Sequence, residues 1–196
     1  TARRLAGTLR LEPRRSLQAA LEALAGNRTS PKFFLRALVV IPKALALSEL
    51  VLRRGAIHLH AHYGTHSALL AWIVHRTTGA PYSVPVHGHD LTVDRSMLAR
   101  KLADAAFVIA PSEYHRRLVS EVAGDRVTAR THVVRCGIEL ERYRPSPASR
   151  DAGAKLEILS IGSLEPYKGM RFLVAALALL RDRGVPFRCR VVGAGE

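Results

Sequence analysis

The 196 residues are 48% hydrophobic and 23% charged, which suffices for an ordinary globular core, excludes a disordered chain, and is too short for two complete α/β domains. Thirty Lys and Arg against sixteen Asp and Glu give +14 at pH 7, so the expected partners are polyanions such as nucleic acid, acidic lipid or phosphorylated small molecules. The longest apolar run, Phe172 to Leu180, is about half the roughly 18 residues of a membrane-crossing helix.

Basic charge gathers at the start. Eleven Lys and Arg face three Glu over residues 1–54, a net +8 of the +14. Leu17, Ala20, Leu21 and Leu24 recur at helical spacing, as do Leu35, Leu38, Val39 and Leu45 after the start signal Ser30-Pro31. Two amphipathic helices follow from this, the second kinked at Pro42. Their basic faces suit an anionic membrane surface, the plainer alternative being a solvated face.

From Ile57 the pattern becomes short apolar strands alternating with helices. Strands are predicted over 57–61, 82–86, 106–110 and 132–135, with helices over 67–78, 96–103 and 112–122 between them. This alternation reads as βαβ units in a parallel sheet. Residues 1–143 are thus expected to form one Rossmann-like domain that lacks its first strands. The polar, Pro- and Ser-rich stretch 144–154 reads as a linker. A further strand (155–161), helix (168–183) and strand (187–192) then open a second domain, ending in Gly193-Ala-Gly195. Two parallel strands and one helix cannot cover both faces of a sheet, so the chain is expected to be an internal piece of a longer one. Cys136 and Cys189 form no CxxC pair and no apolar signal segment leads the chain, which fits reduced thiols in the cytoplasm.

Four clusters carry candidate chemistry. His58, His60 and His62 alternate along the first strand and so share a face. They read either as ligands of a divalent metal in a hydrolase, for which no third-ligand pattern is visible, or as hydrogen-bonded histidines lining a strand end. His87-Gly88-His89-Asp90 follows the next strand, at the edge where open α/β sheets place ligands. An imidazole, a glycine admitting close approach and an aspartate suit a polar ligand such as a sugar; the alternative is a helix cap with His87 packed inside. Gly162, Ser163, Lys168 and Gly169 lie between a strand and a helix N-terminus, a place that favours phosphate. The loop is neither a Walker A sequence nor a dinucleotide fingerprint. Gly193 opens a second glycine-rich loop after the next strand, and the pair is similar to a nucleotide-phosphate cradle.

Taken together, His58-Leu-His-Ala-His-Tyr-Gly64, Val86-His-Gly-His-Asp90, Phe107-Val-Ile-Ala-Pro-Ser112, Val133 to Pro145, Ser160 to Gly169 and Val191-Val-Gly-Ala-Gly195 resemble, in order and spacing, glycosyltransferase family 4 enzymes of the GT-B fold. The resemblance covers nearly the whole chain. It implies two Rossmann-like domains facing across a cleft, the N-terminal one binding acceptor and the C-terminal one a UDP- or GDP-sugar. Catalytic positions would be His87, touching the transferred sugar, and Asp90, supporting it. Lys168 would contact the donor diphosphate beside Gly162, Ser163, Gly169 and Gly193, while His62 and Gly64 would line the acceptor side. Ser163 stands where the family often carries Arg, and Cys136 where it commonly has Asn. The Glu-x7-Glu element that grips the donor is not found in the 196 residues, so this piece alone is expected to be inactive.

The implied reaction is sugar transfer with retention to a lipid-linked or polysaccharide acceptor, in cell-envelope or exopolysaccharide synthesis, with no metal and no cofactor. The location implied is cytoplasmic, peripheral on the inner face of the plasma membrane. Two other classes stand beside it: the metal-dependent hydrolase, and a basic nucleic-acid-binding module. Aromatic residues at 6%, not interleaved with the basic ones, speak against nucleic acid as a partner.

Overall fold

A computed structural model describes residues 2–144 and 155–195, so the expected linker lies outside the described residues except for Arg144. Two compact units emerge, Thr1–Ile138 and Glu139–Glu196.

The first unit begins with three helices, α1 (Ala2–Leu11), α2 (Pro13–Asn27) and α3 (Pro31–Arg54). Periodicity predicts only the last two, because α1 has no acidic first turn to announce it. Proline at the first helical position opens both α2 and α3, where its missing N–H has no intrahelical partner to lose. Gly55, at φ 59°, closes α3 in the left-handed conformation. The helix continues through Pro42 as one element.

The buried stripe of these helices differs from the expected one. Leu17 and Leu21 are 61% and 58% exposed, and Leu35, Leu38 and Val39 are exposed as well. What α2 buries is Ser16, Ala19, Ala23 and Asn27; α3 buries Ala37, Ala44, Leu45, Ser48 and Val51. Small residues at i, i+3 and i+7 let helix backbones approach closely, so a second stripe, less apolar on paper, wins the interior. Thr8 Oγ1 donates to the Leu45 carbonyl at 2.5 Å across this contact.

Four parallel strands follow in chain order, β1 (Leu59–His60), β2 (Tyr82–Pro85), β3 (Phe107–Ala110) and β4 (Thr131–Val133). They fall inside the predicted spans, apart from a one-residue shift at β4. Between them lie α4 (His66–Thr78), α5 (Gly88–Thr92), α6 (Leu98–Ala103), α7 (Glu113–Ala123) and α8 (Asp125–Thr128). Because right-handed crossovers in a sheet of sequential order carry their helices to one face, that face is the covered one. Tyr82, Val84, Val86, Val108 and Ala110 bury there against Trp72, Leu98, Leu102 and Val119. Trp72 donates its indole N–H to Asp104 at 2.7 Å. Glu22 bonds to Arg76 and Arg100, tying α2 to α4 and α6. Burial works against its ionisation, yet the Gln18 hydrogen bond and the two guanidinium groups outweigh that and hold the carboxyl below its usual range.

The second unit pairs β5 (Leu156–Ile161) with β6 (Phe187–Val192) in parallel, from Leu156 opposite Phe187 to Ile161 opposite Val192. A short 3-10 turn (Pro166–Lys168) leads into α9 (Met170–Asp182). Leu159, Ile161, Phe172, Val174 and Leu179 remain exposed, as expected of one layer of two strands and a helix.

Candidate functional site

In the first unit the site is built where β1, β2, β3 and β4 end. β2 continues through Val86 into His87, whose extended backbone (φ −128°, ψ 171°) turns the chain into α5. Asp90, the third residue of that helix, reaches back to accept the His87 N–H at 3.0 Å. The same carboxylate oxygen accepts the Gly64 N–H at 2.8 Å. One buried acid therefore staples the loop after β1 to the loop after β2. A Cβ at Gly64 would meet Leu98 Cδ1 at 2.8 Å and Asp90 Cβ at 3.2 Å, so a larger residue at this crossing must push those side chains aside. Asp90 is 0% exposed, so its carboxylate holds His87 in place and does not itself reach a ligand.

The His87 ring stacks on His62 at 5.3 Å between centroids and tilts against Tyr63 at 4.5 Å. Its Nε2 is buried and has no hydrogen-bond partner among the described residues. His62, Gly64, His87 and Asp90 are thus brought together as one cluster. A cleft of about 280 Å³ opens beside them, lined by His60, His62, His87, Arg135 and Cys136 over Pro85, Val86, Ile109, Pro111 and Val134.

The histidine row is engaged by hydrogen bonding and stacking. His58 Nε2 and His60 Nδ1 each lie 2.8 Å from the hydroxyl of Ser83, a fully buried residue directly opposite His60 in the sheet. His58 also stacks on Phe107 at 5.5 Å. Two of the three imidazoles are tied to a hydroxyl in this way, and among the described residues no group of three His, Cys, Asp or Glu is placed to hold a metal ion. Of the two readings of this row, hydrogen-bonded histidines at a strand end describe His58 and His60: spacing along a strand sets a shared face, but the facing strand decides what those side chains meet.

Behind the cluster lies Lys101, on α6, a residue that sequence reasoning passed over. It is 3% exposed, with Nζ donating to the Thr65 carbonyl at 3.2 Å. Burial pulls its amine down to about 8, opposed by the negative charges of Asp90 and Asp94. Ser83, Tyr63 and Arg135 were also missed, although the two-residue period of β2 already sets Ser83 on the face opposite Tyr82 and Val84.

In the second unit the loops after β5 and β6 leave the same sheet edge. Gly162 N donates to the Val192 carbonyl at 3.0 Å, and Leu164 N to the Ala194 carbonyl at 3.0 Å. Their approach is so close that a Cβ at Gly193 would fall 1.8 Å from the Gly162 oxygen. Gly169, at φ 71°, turns the 3-10 segment into α9. Lys168 is exposed, its ammonium 5.1 Å from the centre of the Tyr167 ring. A hollow of about 300 Å³ beside this loop is lined by Leu164, Glu165, Pro166, Met170 and Arg171. Arg171, in the first turn of α9, is a second cation there that motif reading did not single out.

Comparison with known proteins agrees with this geometry. A stretch of 63 residues, 32% of the chain, is 36% identical to the Escherichia coli K12 protein named "Putative colanic acid biosynthesis glycosyltransferase WcaL". The aligned stretch spans 15% of that relative's length. Residues 9–142, which hold α2, α3, the four-stranded sheet and the histidine cleft, match the family described as Glycosyltransferase Family 4. A parallel Rossmann-like sheet with its polar cluster at the strand ends, joined to that match over most of the chain, makes this protein a member of glycosyltransferase family 4.

Proposed function

We propose that the protein of which these residues are part transfers a sugar, with retention, from a UDP- or GDP-sugar to a lipid-linked or polysaccharide acceptor in cell-envelope or exopolysaccharide synthesis. The observation that carries this reading is the shared edge of β5 and β6. Loops on opposite edges would have made a common phosphate site impossible, whereas Gly162-Ser163 and Gly193 meet backbone to backbone. The unpaired N–H groups opening α9 and the Lys168 ammonium favour a diphosphate there. In the reaction the bond from the anomeric carbon to diphosphate breaks, and its electron pair leaves on the phosphate oxygen that Lys168 stabilises. The acceptor hydroxyl then bonds to that carbon and passes its proton to the departing phosphate oxygen. His87 contacts the transferred sugar, with Asp90 as its positioning residue. The relative's name, which refers to colanic acid biosynthesis, supports a polysaccharide product. No metal or cofactor enters this reading, and nothing beyond overall charge favours a nucleic-acid module.

Calorimetric titration of the chain with UDP- and GDP-sugars tests the donor site. Lys168→Ala is expected to weaken binding by about tenfold or more, the scale of one lost charge-assisted contact; equal affinities would remove the diphosphate assignment.

The same reading places the protein on the inner face of the plasma membrane. Among the described residues no helix is long and apolar enough to cross a bilayer. Support comes instead from the exposed Leu17, Leu21, Leu35 and Leu38, which share α2 and α3 with exposed Arg14, Arg15, Arg36 and Lys43. Apolar side chains among basic ones suit an anionic lipid surface. Co-sedimentation with phosphatidylglycerol vesicles is expected to exceed that with phosphatidylcholine by about tenfold, and to fall as salt is raised. Binding indifferent to lipid charge would sink the membrane assignment.

A further inference from the structure

The polar lining of the cleft in the first unit is one-sided in charge. Arg135 and the imidazoles of His60, His62 and His87 line it, and among the described residues no carboxylate does. Asp90, the acid carried by these loops, is turned inward onto two backbone N–H groups. Arg135 forms no ion pair among the described residues.

A second observation concerns His60. Its Nδ1 and the Nε2 of His58 both meet the Ser83 hydroxyl at 2.8 Å. A hydroxyl has one proton, so Ser83 donates to one ring and accepts from the other. With Nδ1 occupied in this way, Nε2 is the nitrogen that His60 has left for the cleft it lines. When His58 donates to Ser83 and Ser83 donates to His60, all three groups are satisfied and the neutral His60 ring carries its proton on Nε2. The reverse arrangement satisfies Ser83 equally, so an oxyanion in the cleft selects the tautomer in which His60 donates from Nε2.

We propose that this cleft binds the oxyanion group of a sugar ligand, a phosphate or a carboxylate, with Arg135 supplying the opposite charge and His60 Nε2–H a hydrogen bond. A guanidinium beside an imidazole whose Nε2 is left to donate matches an oxyanion in both charge and geometry. The cleft's volume of about 280 Å³ is that of a small-ligand site. Ser83 is a positioning residue in this arrangement. The sugar in the assignment rests on the transfer reading above; the oxyanion rests on the cleft alone.

Glucose 1-phosphate and glucose, titrated separately into the full chain, test the proposal. The phosphate is expected to bind at least about tenfold more tightly, with the ¹⁵N signals of the His60 ring shifting on binding. Arg135→Gln, a change at an exposed position that leaves the core untouched, is expected to bring the two affinities to near parity, and His60→Gln to narrow the gap. Equal affinities in the unaltered chain, or a preference that survives Arg135→Gln, would overturn it. Added UDP separates two sources of the oxyanion. Competition assigns it to the donor's phosphates, and simultaneous binding assigns it to the acceptor. If Lys168→Ala left UDP binding unchanged while Arg135→Gln still abolished the phosphate preference, the donor reading would fail and the cleft would stand.

Discussion

Asp90→Ala is expected to destabilise the first unit by about 3–5 kcal/mol, the scale of breaking a buried charged network by removing one partner. Two effects add. The N–H groups of Gly64 and His87, bonded to one Asp90 oxygen at 2.8 and 3.0 Å, lose their acceptor in an interior that water does not reach. The Lys101 ammonium, also buried, loses one of the two negative charges that keep it protonated. Asp90→Asn separates the effects, because an amide carbonyl still accepts from a backbone N–H but carries no charge. Urea unfolding should rank wild type above Asn and Asn above Ala. A loss for Asp90→Ala below about 1 kcal/mol, the size of an ordinary surface change, would show that the staple between the β1 and β2 loops is not structural. Sugar binding in the cleft is expected to weaken alongside, since His87 is held by the same carboxylate.

The second large effect is a pH dependence of the same network. Lys101 titrates at about 8 in the folded chain against an ordinary 10.5. Between those values the unfolded chain binds more protons than the folded one, so stability rises as pH rises through that window. Below about pH 8 the amine is charged in both states and the full burial cost is present. The rise across the window amounts to about 3 kcal/mol at most. Tyr82 acts with the opposite sign, because burial, with the nearby Asp104 charge, pushes its phenol above 10. Its contribution is lost only as pH climbs past that ordinary value. Comparing wild type with Lys101→Met in urea between pH 7 and 10 isolates the lysine. The variant is expected to show a flatter profile, and an unchanged slope would show that the amine is not desolvated.

Local signals carried much of the fold. Alternating short apolar runs and capping residues such as Ser112, whose hydroxyl meets the His115 N–H at 3.4 Å, placed the strands and crossover helices. The loops after the strands held the site residues because a parallel sheet delivers every strand end to one edge. Less was legible in the leading helices. Two stripes of α2 have helical spacing, one of leucines and one of Ser16, Ala19, Ala23 and Asn27. Hydropathy favours the first, while close backbone packing against the neighbouring helices selects the second.

The sequence by itself determined the class of architecture, the edge on which chemistry gathers and, through the order of its motifs, the family. Each of these depends on residues near one another in the chain or on regular spacing. Only the tertiary structure decided that His58 and His60 meet on Ser83, that Asp90 faces inward to hold Gly64 and His87, that Lys101 stands buried behind it, and that Arg135 shares a cleft with the imidazoles of β1 and β2. Those pairings join residues from separate strands and loops. Their geometry comes from sheet register and core packing, which no local pattern of residues encodes.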